Sequence, residues 1–238
     1  MKPDGGDPNA VRCDWTRFAA DFGLILVVML VYFFLRAAAP ARVGFAVEVG
    51  DRLVRIERWL GVFREPAVQE WTLRWHWLTE AANALYAYLH FPVLGGMGVV
   101  LWLLDRRRFI TTRNTIFVSM VIGLVFYYVL PAAPPRLMAA QGYDYGFIDT
   151  VFGGDTAVRY VQPSFFINNY AALPSFHVGW MALSSAALCS VTRSWILRAG
   201  DASLTLVMVW ATTATANHYF LDGVLGVAIV AVSWLVVR

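Results

Sequence analysis

Charge is scarce in this chain of 238 residues. Asp, Glu, Lys and Arg make up 15% of it against 59% hydrophobic residues, and the mean hydropathy is +0.57. A soluble domain carries about a quarter charged residues, so the deficit excludes an ordinary water-facing surface. Cysteine is scarcer still, with only Cys13 and Cys189. Both fall on the expected cytoplasmic side, which excludes a disulfide framework and leaves free thiols. All but one of the 19 Lys and Arg residues are arginine, and the net charge is only +3; a nucleic-acid partner is not expected. Nor does any stretch have the composition of a linker.

What is present is apolar sequence of spanning length. Such segments lie near Phe18–Ala38, Ala81–Leu104, Thr115–Leu130, Pro174–Val191, Ser203–Ala216 and Tyr219–Val237. A bilayer core of about 30 Å needs about 20 such residues as helix, so the fold class expected is all-α, a polytopic bundle of six transmembrane helices. The fifth and sixth spans are separated only by Asn217 and His218 and must form a tight hairpin. Asp105-Arg106-Arg107-Arg108 and Arg113 form a short basic loop between spans two and three, which the positive-inside rule assigns to the cytoplasm. Alternation then puts both termini inside, with residues 1–17 as a cytoplasmic tail. It puts the start of span four, the start of span six and the loop 131–173 on the outer face. The expected location is a bacterial plasma membrane. Seven arginines between Arg36 and Arg74 would lie outside, offset by six acidic residues between Glu48 and Glu80. A second reading makes the first span a signal peptide, since Arg12 and Arg17 precede a run ending in Ala37-Ala38-Ala39; the length of that run favours its retention.

Between spans one and two, Val49, Leu53, Ile56, Leu60 and Phe63 recur as one helical stripe, which predicts an interfacial helix over residues 43–63. Trp71, Trp75 and Trp77 suit an aromatic belt. The outer loop holds Pro134-Pro135, Gly153-Gly154 and Pro163, and its Phe147, Phe152, Phe165 and Phe166 are expected to dip into the interface or cover a site.

Ionisable residues at membrane depth are costly and mark function. Asn217-His218-Tyr219-Phe220-Leu221-Asp222 places a histidine and an aspartate one helical turn apart at the head of span six, and Pro174-Ser175-Phe176-His177 puts a second histidine at the head of span four. A histidine four residues before an aspartate is a weak signal by itself. Its location adds weight, because Arg136, His177 and His218 fall at the outer ends of three different spans. The set suits phosphoryl transfer: a neutral His218 as nucleophile, Asp222 on its other nitrogen, His177 as acid then base, and the guanidinium of Arg136 on phosphate oxygens. That chemistry needs no metal or cofactor. An open zinc centre of His177, His218 and Asp222 is the rival chemistry. A proton-coupled transporter using His218 and Asp222, and a non-catalytic scaffold, are the readings from other classes. Asn217, Tyr219, Tyr86 and His90 are candidate substrate contacts, and Asn83 shares the helix face of Tyr86 and His90.

These residues resemble the motifs of the type 2 phosphatidic acid phosphatase (PAP2) superfamily. Pro174-Ser175-Phe176-His177 is similar to its P-S-x-H motif and His218 through Asp222 to its H-x-x-x-D core. Pro131-Ala132-Ala133-Pro134-Pro135-Arg136 is similar to the first motif of the branch containing inositol phosphorylceramide synthase. Ile56-Glu57-Arg58-Trp59-Leu60-Gly61-Val62-Phe63-Arg64-Glu65-Pro66 and Asn83-Leu85-Tyr86 with His90-Phe91-Pro92 also resemble that branch. The superfamily's first motif usually reads K-x6-R-P and its third carries an arginine six residues before the histidine; Val129 and Leu137 stand in the first, Thr212 in the third. The resemblance implies a six-helix fold, an outward site, a phosphohistidine at His218, and phosphate binding by Arg136 and Ser175. The substrate implied is a lipid phosphate or phospholipid in the bilayer. With water as acceptor the protein is a phosphatase; with a lipid or polyol hydroxyl it is a headgroup transferase.

Overall fold

The computed structural model describes residues 14–153 and 166–238. The expectations placed on Arg12, Cys13, Pro163 and Phe165 lie outside them. Among the described residues the chain is helical, with one isolated bridge between Ala132 and Ala171. The helices are α1 (Trp15–Ala37), α2 (Val43–Trp59), α3 (Glu65–Leu73), α4 (His76–Tyr88), α5 (His90–Leu104), α6 (Arg106–Val129), α7 (Pro135–Met138), α8 (Phe176–Val191), α9 (Trp195–Ala214) and α10 (Phe220–Val237).

Each apolar stretch read from the sequence is helical, yet only α1, α6 and α10 are individually long and apolar enough to cross a membrane. The second expected span is two helices, α4 and α5, bent by 48°. Pro92 accounts for the break, since its ring clashes with the carbonyl of Tyr88 one turn earlier. Counted as one, that pair makes a fourth candidate span; α8, with 16 residues, is apolar but shorter. The expected basic loop is corrected to a single residue. Asp105 accepts the amide of Arg108 at 3.1 Å and starts α6 at Arg106, so the arginine cluster forms the first turns of a helix.

The helix expected over 43–63 ends at Trp59 and buries a different face from the one expected. Ala46, Val49, Gly50, Leu53 and Glu57 turn inward against α7 and α10, while Ile56 and Leu60 are exposed. Gly50 permits this docking: a Cβ there would stand 2.9 Å from the Tyr219 hydroxyl and 3.0 Å from the Ala133 carbonyl. At the opposite end Asp21, an acid within apolar α1, is paired with Arg113 at 2.9 Å, with Arg106, and with the indole of Trp102 at 3.1 Å. These partners offset the cost of a carboxylate at that depth and tie α1 to α5 and α6.

The closest approach in the bundle is α8 across α10. A Cβ on Gly179 would fall 2.6 Å from the Gly226 carbonyl oxygen, and one on Gly226 would fall 2.1 Å from that of Ser175. Main chain lies directly on main chain, and the Ser175 amide donates to the Asp222 carbonyl at 2.9 Å. Trp180, stacked on Phe176 at 4.9 Å and donating to Ser119 at 3.0 Å, locks the other face of α8 onto α6. The Cβ of Gly226→Ala meets rigid backbone. It should lower stability by roughly 1–3 kcal/mol, the usual cost of overpacking, and reduce activity with it; thermal unfolding in detergent measures the first, and a melting temperature equal to that of the parent would contradict this account of the crossing.

Candidate active site

Helix α9 ends in a turn that aims the chain at α10. The Asn217 amide returns to the Thr212 carbonyl at 3.1 Å and the Ala216 amide to that of Thr213 at 3.0 Å, the two bonds of a Schellman turn. Ala216 occupies its left-handed position with φ 52°, where glycine is usual and a side chain costs roughly 1–2 kcal/mol. The Ala216 carbonyl accepts the amide of Arg136 at 2.9 Å, which fastens the turn to α7.

His218 follows, 6% exposed. Its Nδ1 lies 2.8 Å from the carbonyl oxygen of Ala172 and 3.5 Å from Oδ2 of Asp222. A carbonyl can only accept, so Nδ1 carries the proton and the ring's lone pair is on Nε2. Asp222 is the partner expected on this nitrogen from the sequence; the shorter contact is to main chain. Asp222 is fully buried and turns Oδ2 to the Tyr219 amide at 2.9 Å, capping α10.

In front of His218 is a pocket of about 90 Å³ that gathers residues from five parts of the sequence. His177 contributes a ring 5.5 Å from that of His218, stacked on Tyr86 at 4.7 Å and edge-on to His90 at 4.3 Å. The Nε2 of His177 is buried without a hydrogen-bond partner among the described residues. Arg136 enters from α7; its Nε bonds Asn217 at 2.9 Å, its Nη1 pairs with Asp149 at 2.9 Å, and its guanidinium lies 4.4 Å from the Phe152 ring centre. His90, Asn168 and Asn169 complete the polar lining.

Of the residues singled out in the sequence, His218, His177, Arg136, Asn217, Tyr86 and His90 line this pocket. Ser175 and Tyr219 do not. Ser175 is fully buried, its hydroxyl without a partner, and Tyr219 turns away beneath Gly50. Phe147 is buried against Phe63 at 6.1 Å, and Phe166 stands 6.0 Å from Phe33. The loop segment before residue 154 is strapped down, with Gln69 bonded to both main-chain groups of Ile148 at 2.9 Å and Asn83 to Thr150 at 3.0 and 2.9 Å. Among the described residues no group of three or more His, Cys, Asp or Glu is arranged to hold a metal ion.

Two further groups were not read from the sequence. Arg36, at the end of α1, lines the pocket 5.7 Å from the Tyr127 ring centre and brings a second guanidinium. Glu57 and Glu65, from α2 and α3, hold the head of α10 from behind: Glu57 accepts the Leu221 amide at 2.8 Å and Glu65 the Phe220 amide at 2.9 Å. With Asp222 they satisfy three successive amides that a helix start leaves open. Burial first, then the hydrogen-bonded neighbour Glu65, push Glu57 up to about 9, so it holds a proton at neutral pH. The one signal for this pair is their place in the Ile56–Pro66 stretch.

The sequence profile of the PAP2 superfamily matches residues 51–236 of this chain. The chain is similar to the phosphoinositol dihydroceramide synthase of Bacteroides thetaiotaomicron, 25% identical over 175 residues that cover 67% of this chain and 56% of that protein. It thus spans little more than half the length of that relative. No solved structure matches it.

The raised Glu57 gives folding a definite pH dependence. The folded state keeps a proton that the unfolded chain loses from the ordinary glutamate range upward, so this site's contribution to stability declines as pH rises to about 9. Asp222 and Glu65 face the same point and add to the penalty on a second charge. Glu57→Gln keeps an oxygen for the Leu221 amide and removes the titration. Its melting temperature should fall less between pH 6 and pH 9 than that of the parent, and parallel curves would show that Glu57 does not titrate in this window.

Proposed function

Because the chain belongs to the PAP2 superfamily, we propose that it is a membrane-embedded enzyme cleaving a lipid phosphoester through a phosphohistidine at His218. The observation that carries this reading is the bond from Nδ1 of His218 to the Ala172 carbonyl, which leaves the nucleophilic lone pair on Nε2 in a pocket shared with His177 and Arg136.

In the first half-reaction Nε2 attacks phosphorus, an N–P bond forms, and the bond from phosphorus to the lipid oxygen breaks. The imidazolium that results keeps its Nδ1 proton on Ala172, with the Asp222 carboxylate at 3.5 Å opposing the new charge. His177 gives its proton to the leaving alkoxide; the negative phosphate in the pocket favours its protonated form beforehand. In the second half-reaction His177 takes a proton from the incoming hydroxyl, which attacks phosphorus and restores His218. Arg136 and Arg36 supply the cationic contacts to phosphate oxygens; Arg36 offsets the positions that Val129 and Thr212 leave uncharged. Asn217 holds Arg136 in place, while Tyr86 and His90 bracket His177.

Water and a lipid or polyol hydroxyl are both admissible acceptors. The likeness to a protein named phosphoinositol dihydroceramide synthase supports headgroup transfer beside hydrolysis. In the proposed topology α1, the bent pair α4–α5, α6, α8, α9 and α10 make six spans. Both termini lie inside, α2 lies at the interface, and the segment between α6 and α8 is on the outer side of a plasma-membrane protein. The hydropathy of α1, α6 and α10 and the arginines at the start of α6 support this.

Purified protein should release phosphate from lipid phosphates, or form a new lipid when an acceptor is supplied, and His218→Ala should abolish both while the protein stays folded in detergent. Undiminished turnover in that variant removes the nucleophile. His177→Ala should slow esters with alkoxide leaving groups by about 10²–10⁴, the usual range for a general acid, and p-nitrophenyl phosphate far less. Equal losses on the two substrates would deny His177 the acid role.

A further inference from the structure

Beneath the catalytic pocket a second cavity of about 190 Å³ opens between α1, α5 and α6, and its walls are almost wholly apolar. The two spaces are neighbours: Phe91 and Trp180 line both. Along α5 the cavity runs from Phe91 to Leu101, about 15 Å at 1.5 Å per residue, or half of a hydrocarbon core of about 30 Å. Its far end is closed by Arg113, paired with Asp21, beside Phe109. Toward the bilayer α1 and α5 touch through rings at two levels, Phe33 with Phe91 at 6.0 Å and Phe18 with Trp102 at 5.1 Å. Between these contacts a Cβ on Gly98 would touch the Phe22 ring of α1 at 3.7 Å, whereas at Gly95 no atom of the described residues lies within 4 Å of where a Cβ would stand.

We infer that this cavity is the binding site for one hydrocarbon chain of the lipid phosphate substrate, which slides in sideways between α1 and α5 while its phosphate sits at His218. The inference rests on the phosphoester reading of the upper pocket. An apolar space beside a polar one at membrane depth matches an amphiphile whose head is phosphate and whose tail is aliphatic. Burying the tail contributes about 0.8 kcal/mol per methylene relative to water; a bilayer already shelters the chain, so the cavity acts mainly by positioning and by length. The Asp21–Arg113 pair sets that length, because a chain reaching it would have to displace charged groups that hold one another.

Gly95→Phe places a ring in the opening from a position where its Cβ meets nothing within 4 Å among the described residues. The ratio of kcat/KM for hexadecyl phosphate over butyl phosphate should fall ten-fold or more relative to the parent, and an unchanged ratio would overturn the proposal. An independent arm uses hexadecyl phosphate with a photoreactive diazirine at mid-chain, bound to the His218→Ala protein so that the probe is not consumed. Cross-links should map to Ile25, Met29 and Leu94 and disappear when Gly95→Phe is added; cross-links confined to other faces of the bundle would overturn it. Cross-links in the cavity, with neither phosphate release nor a new lipid formed from an added acceptor by the parent, would defeat the phosphotransfer reading and uphold the chain site. Release with an unchanged ratio would do the reverse.

Discussion

The direct contact of main chain with main chain where α8 crosses α10 is the constraint on which the rest depends. Gly179 and Gly226 leave no side chain between the two helices, and the Ser175 amide bonds to the Asp222 carbonyl across the gap. Small residues permit this kind of approach in membrane bundles, where apolar lipid offers helices no hydrophobic reason to associate. Because His177 and His218 sit within a turn of the crossing, the separation of their rings follows from how closely two backbones can lie. Phe176 and Trp180 then fix α8 to α6, the helix that leads to Arg136.

A helix start with unsatisfied amides, buried at depth, is a problem that this protein solves with acids. Tyr219, Phe220 and Leu221 each donate to a different carboxylate, those of Asp222, Glu65 and Glu57. The arrangement anchors the segment that carries His218 from behind, leaving its front face open to the pocket. Protonation of Glu57 keeps the cluster from accumulating full negative charge where an incoming phosphate would meet it. The pocket's own positive groups, Arg136 and Arg36, lie on the opposite side, so the site is polarised from back to front.

Part of this was legible because hydropathy locates the ends of apolar runs, and His177, His218 and Arg136 lie at such ends and line one pocket. The link expected at Asn217 and His218 alone is instead residues 215–219, and α10 packs mainly on α8 and not on α9. Other parts depend on contacts that no local pattern encodes. Arg36 reaches the pocket only because α1 packs on α6 and ends beside Tyr127. Glu57 and Glu65 read as counter-charges for arginines, yet α2 turns Glu57 inward because Gly50 lets it settle on Tyr219, and the start of α3 brings Glu65 beside it. The arginines after Asp105 look like a loop in hydropathy and are helix, since one capping aspartate suffices to reverse the chain. Ser175 belongs to a recognisable motif, but its side chain is buried at the crossing and not in the pocket.

The bond from His218 to Ala172 carries a consequence for how the residues of such a site are ranked. The group that holds the imidazole most closely belongs to the peptide backbone, and every amino acid placed at position 172 would still present it. Replacing side chains one at a time leaves that anchor intact and credits Asp222 with orientation that it shares, together with whatever is lost when the cap of α10 fails. What must be kept is a path of the chain more than a letter: Ala172 is buried, so packing limits the residue there, while the bond of its own amide to the Ala132 carbonyl at 3.3 Å holds the carbonyl where the imidazole meets it.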